Sequence, residues 1–224
     1  MADWTEQKPE FVARRYDRLA RFYGVFEWLY GLPLLGIRSK TVAALQLHGG
    51  EIVLELGCGS GRNFARLERA VGPHGRVLGV DLSPGMLARA RGLCERHGWS
   101  NVELTQADAA ASVPGVRPNA ILFCFSYSVM PERRRVLADA WNLLLPRGRL
   151  VITDLSMVGA RGFRFLLPFA CWYSRRTLLG KPDTEPWSDL AAHAAAVEVE
   201  RWSLGSLGHF VICRALKEGG PESN

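Results

Sequence analysis

The chain lacks paired cysteines. Its five, Cys58, Cys94, Cys124, Cys171 and Cys213, are odd in number, widely spaced and free of any C-x-x-C pair. Neither a disulfide framework nor a zinc site is expected, and reduced thiols in a cytosolic protein fit best. No run of 18 or more uncharged apolar residues occurs, so nothing should span a bilayer. Asp3, Glu6 and Glu10 stand where an export signal would have basic residues and an apolar core, so none is expected. There is no internal repeat and no appended RNA-binding domain, which argues against a nucleic-acid partner. Of the five histidines, His48, His74 and His97 lie in glycine-flanked loops, His193 on a peripheral helix and His209 at a hairpin. Each reads as structural, and no lone catalytic base stands out. What is present is a 224-residue chain, 48% hydrophobic, which suits one domain with a sizeable core. The net charge of +6 favours anionic surfaces without choosing between membrane and nucleic acid.

The organising stretch is Ile52-Val53-Leu54-Glu55-Leu56-Gly57-Cys58-Gly59-Ser60-Gly61. An apolar run ends in three glycines at alternate positions, and a helical pattern follows from Arg62. A strand, a Gly-rich turn and a helix in this order build the nucleotide crevice of an open α/β sheet. The spacing is G-x-G-x-G, with Arg62 next, rather than the G-x-G-x-x-G of a dinucleotide fold, which disfavours a dehydrogenase. Glu55, two residues before the first glycine, suits a cationic ligand better than a phosphate. Asp81 ends a second buried run, Arg76-Val77-Leu78-Gly79-Val80-Asp81, about twenty residues past the last glycine, where a strand-end acid reaches a ribose diol. Ser83 and Pro84 supply the cap and first-turn residue of the helix that follows.

These segments resemble motif I and its successors in the class I S-adenosylmethionine (SAM) methyltransferases. The resemblance implies that Glu55, Gly57, Gly59, Gly61 and Asn63 cradle the methionine part of SAM. It places Leu82 and Met86, in the V-D-x-S-x-x-M-L wording, beside the adenine. In Gln106-Ala107-Asp108-Ala109, Asp108 would accept from the adenine N6 amine and the Ala109 backbone N–H would reach N1. Phe125, in the apolar run Ala120–Tyr127, would face the reactive methyl. Tyr16-Asp17, followed by Tyr23, resembles a segment of quinone and lipid methyltransferases whose tyrosine lies near the sulfonium, so Tyr16 and Tyr23 are candidate positioning residues. Asn119 replaces a customary acid before the fourth strand.

The expected fold is α/β, a doubly wound Rossmann-like seven-stranded sheet with an antiparallel final hairpin, plus an N-terminal helical cap. Residues 1–47 form the cap or lid, 48–216 the SAM-binding domain and 217–224 a polar tail. Strands are expected at Ile52–Leu56, Arg76–Asp81, Asn101–Ala109, Ala120–Tyr127 and Leu150–Asp154. A hairpin of Val197–Trp202 with Phe210–Ala215 follows. Helices are expected over Ile37–Leu47, from Ser83, over Glu132–Leu145 and near Leu190–Ala196.

Two stretches mix arginines with aromatics. Arg14, Arg15, Arg18 and Arg21 lie among Phe11, Tyr16, Phe22 and Tyr23, ahead of an apolar run through Trp28. An inserted segment over 157–188 places Arg161, Arg164, Arg175 and Arg176 among Phe163, Phe165, Trp172 and Tyr173. Such composition suits the headgroup level of an anionic membrane; two greasy caps packed together would read the same way. The reading is a cytoplasmic SAM-dependent methyltransferase that can sit peripherally on the inner face of a membrane. Its acceptor is amphiphilic, with the amine head group of a phospholipid or ornithine-type lipid favoured. Ubiquinone/menaquinone-type or other small-molecule methylation is the alternative, as is a regulatory module that binds SAM without transfer.

Overall fold

The computed structural model describes residues 14, 16–17, 36–109, 116–158, 180–181, 183–203 and 209–219. Helix α1 covers 36–44. It is followed by β1 (Ile52–Leu56), α2 (Phe64–Val71), β2 (Arg76–Asp81), α3 (Pro84–His97), β3 (Val102–Gln106), β4 (Ala120–Cys124), α4 (Arg133–Leu143) and β5 (Arg149–Ser156). The chain closes with α5 (Pro186–Ala191), β6 (Val197–Ser203) and β7 (His209–Leu216). The strands form one sheet of order β3-β2-β1-β4-β5-β7-β6. Strands β1 to β5 are mutually parallel, and β7 runs antiparallel to both β5 and β6. The seven-stranded sheet and its antiparallel end are as expected from the sequence.

Burial follows the strand pattern. All five residues of β4 are buried, as a central parallel strand covered on both faces requires. On one face, Leu54, Leu56, Ile121, Phe123 and Ile152 pack beneath α4 and α5. On the other, Val53, Val77, Leu122 and Val151 pack beneath α1, α2 and α3. Strand order reverses between β1 and β4, and at such a switch point the loops leaving the strand ends part to form a crevice.

Several boundaries differ from expectation for identifiable reasons. Strand β3 stops at Gln106, so Asp108 lies in the loop beyond it. Strand β4 stops at Cys124, because Phe125 takes a positive φ of 57° and a 3₁₀ turn over Tyr127–Val129 follows. That turn is tied down by Ser126 Oγ donating to the Leu56 carbonyl at 2.7 Å. Helix α4 ends early, since Leu145 N donates across to the Pro118 carbonyl. The helix expected near Leu190–Ala196 starts instead at Pro186, a residue suited to a first helical position. Strand β5 is longer than expected because β7 pairs with all eight of its residues. Asn119 also finds a purpose, its Oδ1 accepting from Ile52 N at 2.9 Å while its own amide donates to the Ile52 carbonyl. The domain boundaries at 47 and 216 are expectations; most of the cap, and residues 159–179 of the basic-aromatic insertion, lie outside the described residues, as does Tyr23.

Candidate functional site

The glycines of the first turn differ in what surrounds them. Gly57, Gly59 and Gly61 all have positive φ, at 73°, 55° and 80°, a region that glycine alone enters without strain. A Cβ on Gly57 would fall 2.5 Å from the Ser126 Cβ, and one on Gly61 would fall 2.6 Å from the Phe64 ring. A Cβ on Gly59 would meet nothing within 4 Å. Two of the glycines are therefore needed for packing, and the third borders open space.

That space is a cleft over the strand ends. Counted together with its open mouth, its space is about 1090 Å³. Tyr16, Glu55, Gly57, Gly59, Asp81, Leu82, Met86, Asp108, Ala109 and Phe125, all singled out in the sequence, line it together. Gly61 and Asn63 stand behind the lining. Sequence reasoning passed over Arg38, Ser126, Met130 and Val136, which also line the cleft. A lone arginine on α1 and apolar residues after β4 carry no motif that would have marked them.

Glu55 and Asp81 sit differently at the base of the cleft. Glu55 is only 1% exposed. Its Oε1 accepts from Asn63 Nδ2 at 2.6 Å, while Oε2 is buried without a partner. Burial pushes its carboxyl up to about 7, against the opposing pull of the Asn63 bond and the Arg38 charge. Arg38 Nη1 reaches Asn63 Oδ1 at 3.3 Å and Cys124 Sγ at 3.5 Å, and its guanidinium lies 5.2 Å from the centre of the Phe125 ring. Asp81 accepts from Gly59 N at 2.7 Å through Oδ2 and from Ser83 N at 2.9 Å through Oδ1. Its carboxyl is raised, by burial first, despite these bonds. The carboxylate keeps acceptor capacity for a further donor.

A third acid, Asp154 at the end of β5, was not foreseen as a site residue, and the structure gives it a framework role. Ser128 N and Leu155 N donate to it, as does Ser128 Oγ, at 2.8–2.9 Å. This fixes the turn after β4. Among the described residues lining the cleft, none is a histidine. No cluster of metal-ligating side chains occurs among the described residues, and none of their helices is long and apolar enough to cross a membrane.

Residues 53–148 match the model of a methyltransferase domain family. The chain is 34% identical over 107 residues to an arsenite methyltransferase of Halobacterium salinarum, covering 47% of this chain and 27% of that one. It is 31% identical over 155 residues to a ubiquinone/menaquinone biosynthesis C-methyltransferase of Salmonella arizonae, covering 67% and 61%. The chain thus spans less than two thirds of the length of these curated relatives. Among solved structures, the YcgJ protein of Bacillus subtilis shares the fold with a TM-score of 0.67 at 14% identity, over 82% of this chain and 98% of that one. The glycine turn, the strand order and the match over residues 53–148 are together those of a SAM-dependent methyltransferase domain.

Proposed function

We propose that the chain binds SAM in this cleft and transfers its methyl group to an amphiphilic acceptor, best a lipid amine head group. The observation that carries the cofactor reading is the orphaned Glu55 Oε2 beside the open flank of Gly59. A buried carboxylate oxygen without a donor is costly, and an α-ammonium group supplies the missing partner. Arg38, close by on α1, is placed to meet the α-carboxylate. Asp81 would hold the ribose hydroxyls. Asp108 and the Ala109 amide, with Met86 and Met130, would hold the adenine.

SAM supplies a methyl group already activated by a sulfonium. The protein's own task is to align the acceptor's lone pair opposite the departing sulfur and to exclude water. Phe125, held in its positive-φ conformation by the turn after β4, gives the cleft an apolar wall beside Arg38. An amine acceptor needs little more than arrival in its neutral form, which asks for no base in the cleft.

The lipid-amine reading draws on the arginine and aromatic content of the two sequence segments described above. Quinone methylation is the second reading, favoured by the 31% identity to the ubiquinone/menaquinone enzyme. Capture of arsenite, a soft thiophile, finds less support. Among the described residues, the cysteines Cys58, Cys94, Cys124 and Cys213 are buried, and burial raises each thiol above its ordinary value, Cys124 to about 11; Cys171 lies outside them. Incubation with SAM and either a lipid extract or a quinone precursor, with mass spectrometry of the acceptor, separates the readings. Methylated lipid amine with S-adenosylhomocysteine formation is expected. Methylated quinone alone would overturn the lipid choice, and binding without turnover would leave a SAM-binding module.

A further inference from the structure

The N-terminus of α3 draws its capping from two sources. Ser83 is the N-cap, its Oγ accepting from Met86 N at 3.1 Å, and Pro84 at the next position has no N–H to satisfy. Ser83 N is taken by Asp81 at 2.9 Å. The one remaining first-turn donor, Gly85 N, is met from far along the chain. Asp17 Oδ1 accepts from it at 3.0 Å and also accepts from the Ser83 hydroxyl. A carboxylate at a helix N-terminus is favoured by the helix dipole as well as by the hydrogen bonds. The cost of placing it there is electrostatic, since Asp17 raises the neighbouring Asp81 carboxyl.

A cap for α3 alone would not need a residue 66 positions upstream of the N-cap, because water or a local side chain serves equally well. The non-local contact matters for what adjoins it. Tyr16, the residue before Asp17, lines the same cleft as Leu82, Ser83 and Met86. Residues 16 and 17 are both helical, so adjacent side chains diverge by roughly 100°. With Asp17 fixed on the α3 terminus, Tyr16 is delivered to the cleft.

We infer that Asp17 is a positioning residue, fixing residues 16–17 on the strand-end ribose loop so that Tyr16 is held against the bound cofactor. This rests on the cleft being the SAM site. The anchor lies on Ser83 and Gly85, two and four residues beyond Asp81, so ribose capture and the anchor share one short loop. Asp17 need touch neither cofactor nor acceptor.

The test is a double-mutant cycle on S-adenosylhomocysteine affinity measured by calorimetry. Asp17→Ala should weaken binding about tenfold, and Tyr16→Ala by a similar factor. The double variant should be no worse than Asp17→Ala alone, since a ring that is no longer positioned contributes nothing further. Asp17→Asn keeps the accepting oxygen and should restore affinity to within about threefold of wild type. Unchanged affinity in Asp17→Ala, or a double variant near a hundredfold weaker, overturns the positioning role. If Asp17→Ala does not fold, the comparison moves to Asp17→Asn and Tyr16→Ala. A tenfold loss in Asp17→Asn would then overturn it, because the accepting oxygen is still there. Wild-type protein that fails to bind S-adenosylhomocysteine at all would instead remove the cofactor reading beneath it.

Discussion

Two buried carboxylates on opposite faces of one sheet have contrasting surroundings. Glu55, on the α1–α2 side of β1, has one oxygen bonded to Asn63 and the other bonded to nothing. Asp154, on the α4 side of β5, has both oxygens occupied by three donors. Burial raises both, Glu55 to about 7 and Asp154 to about 6. The degree of burial and the direction of the shift are therefore shared, and neither separates a binding group from a framework group. Hydrogen-bond satisfaction does. Asp154, satisfied by its own chain and outside the cleft lining, holds the turn after β4, and Glu55, with an orphan oxygen in the cleft, is the one proposed to meet a ligand.

Replacing the framework acid should do the greater damage to stability. Asp154→Ala would leave Ser128 N, Ser128 Oγ and Leu155 N without their acceptor, and is expected to cost about 3 kcal/mol. Thermal unfolding without ligand measures this; a change below about 1 kcal/mol would break the distinction. Glu55→Gln should act in the opposite sense. The folded-state value of Glu55, about 7, lies above the ordinary 4.5. Its destabilising ionisation is absent below about pH 4.5 and complete above about pH 7. The variant should therefore match wild type near pH 4.5 and be about 2–3 kcal/mol more stable at pH 8. Its affinity for S-adenosylhomocysteine should nonetheless fall about tenfold, or about 1.4 kcal/mol.

The same contrast predicts a pH profile for binding. In wild type, affinity should rise from pH 5 to about pH 7 as Glu55 ionises, with the raised Asp81 tilting it the same way. It should fall again at higher pH, where the ligand's α-ammonium group loses its proton. Calorimetry across that range should show a shallower acid limb in Glu55→Gln; an identical limb would remove Glu55 from the binding equilibrium. The glycines give the smallest test. Gly57→Ala must push against Ser126 and should cost about 2–3 kcal/mol of stability. Gly59→Ala meets no neighbour and should cost about 1 kcal/mol, from its positive φ alone. Equal losses in unfolding experiments would mean that the space beside Gly59 is not as open as it looks.

What could be read from the sequence was local. Glu55, the glycines and Asp81 sit at fixed offsets from apolar runs, so short-range spacing was enough to put them at strand ends around one cleft. Asp154 ended an expected strand, but nothing near it named Ser128 as its partner. Arg38, and the partners of Asp17, were beyond reach for the same reason. The partners Asn63, Cys124, Ser83 and Gly85 lie 25 to 86 residues away, and only the folded sheet brings them together. Boundaries slipped where tertiary contacts outweighed propensity, as at Phe125, where pairing with Thr153 gives way to the turn. Apolar periodicity could not foresee that either.

Strand β7 is an interior strand made from the last regular segment of the described residues. It is hydrogen-bonded to β5 on one side and β6 on the other, so β5 has no neighbour on that flank until residues 209–216 have left the ribosome. During synthesis, the apolar strand Arg149–Ser156 is a bare sheet edge for the time needed to make some sixty more residues, roughly 3–12 s at ordinary elongation rates. Such an edge invites pairing with other chains. The nascent protein is therefore exposed to misassembly until β7 is made, and a message cut short after β6 would yield a sheet with its seam open.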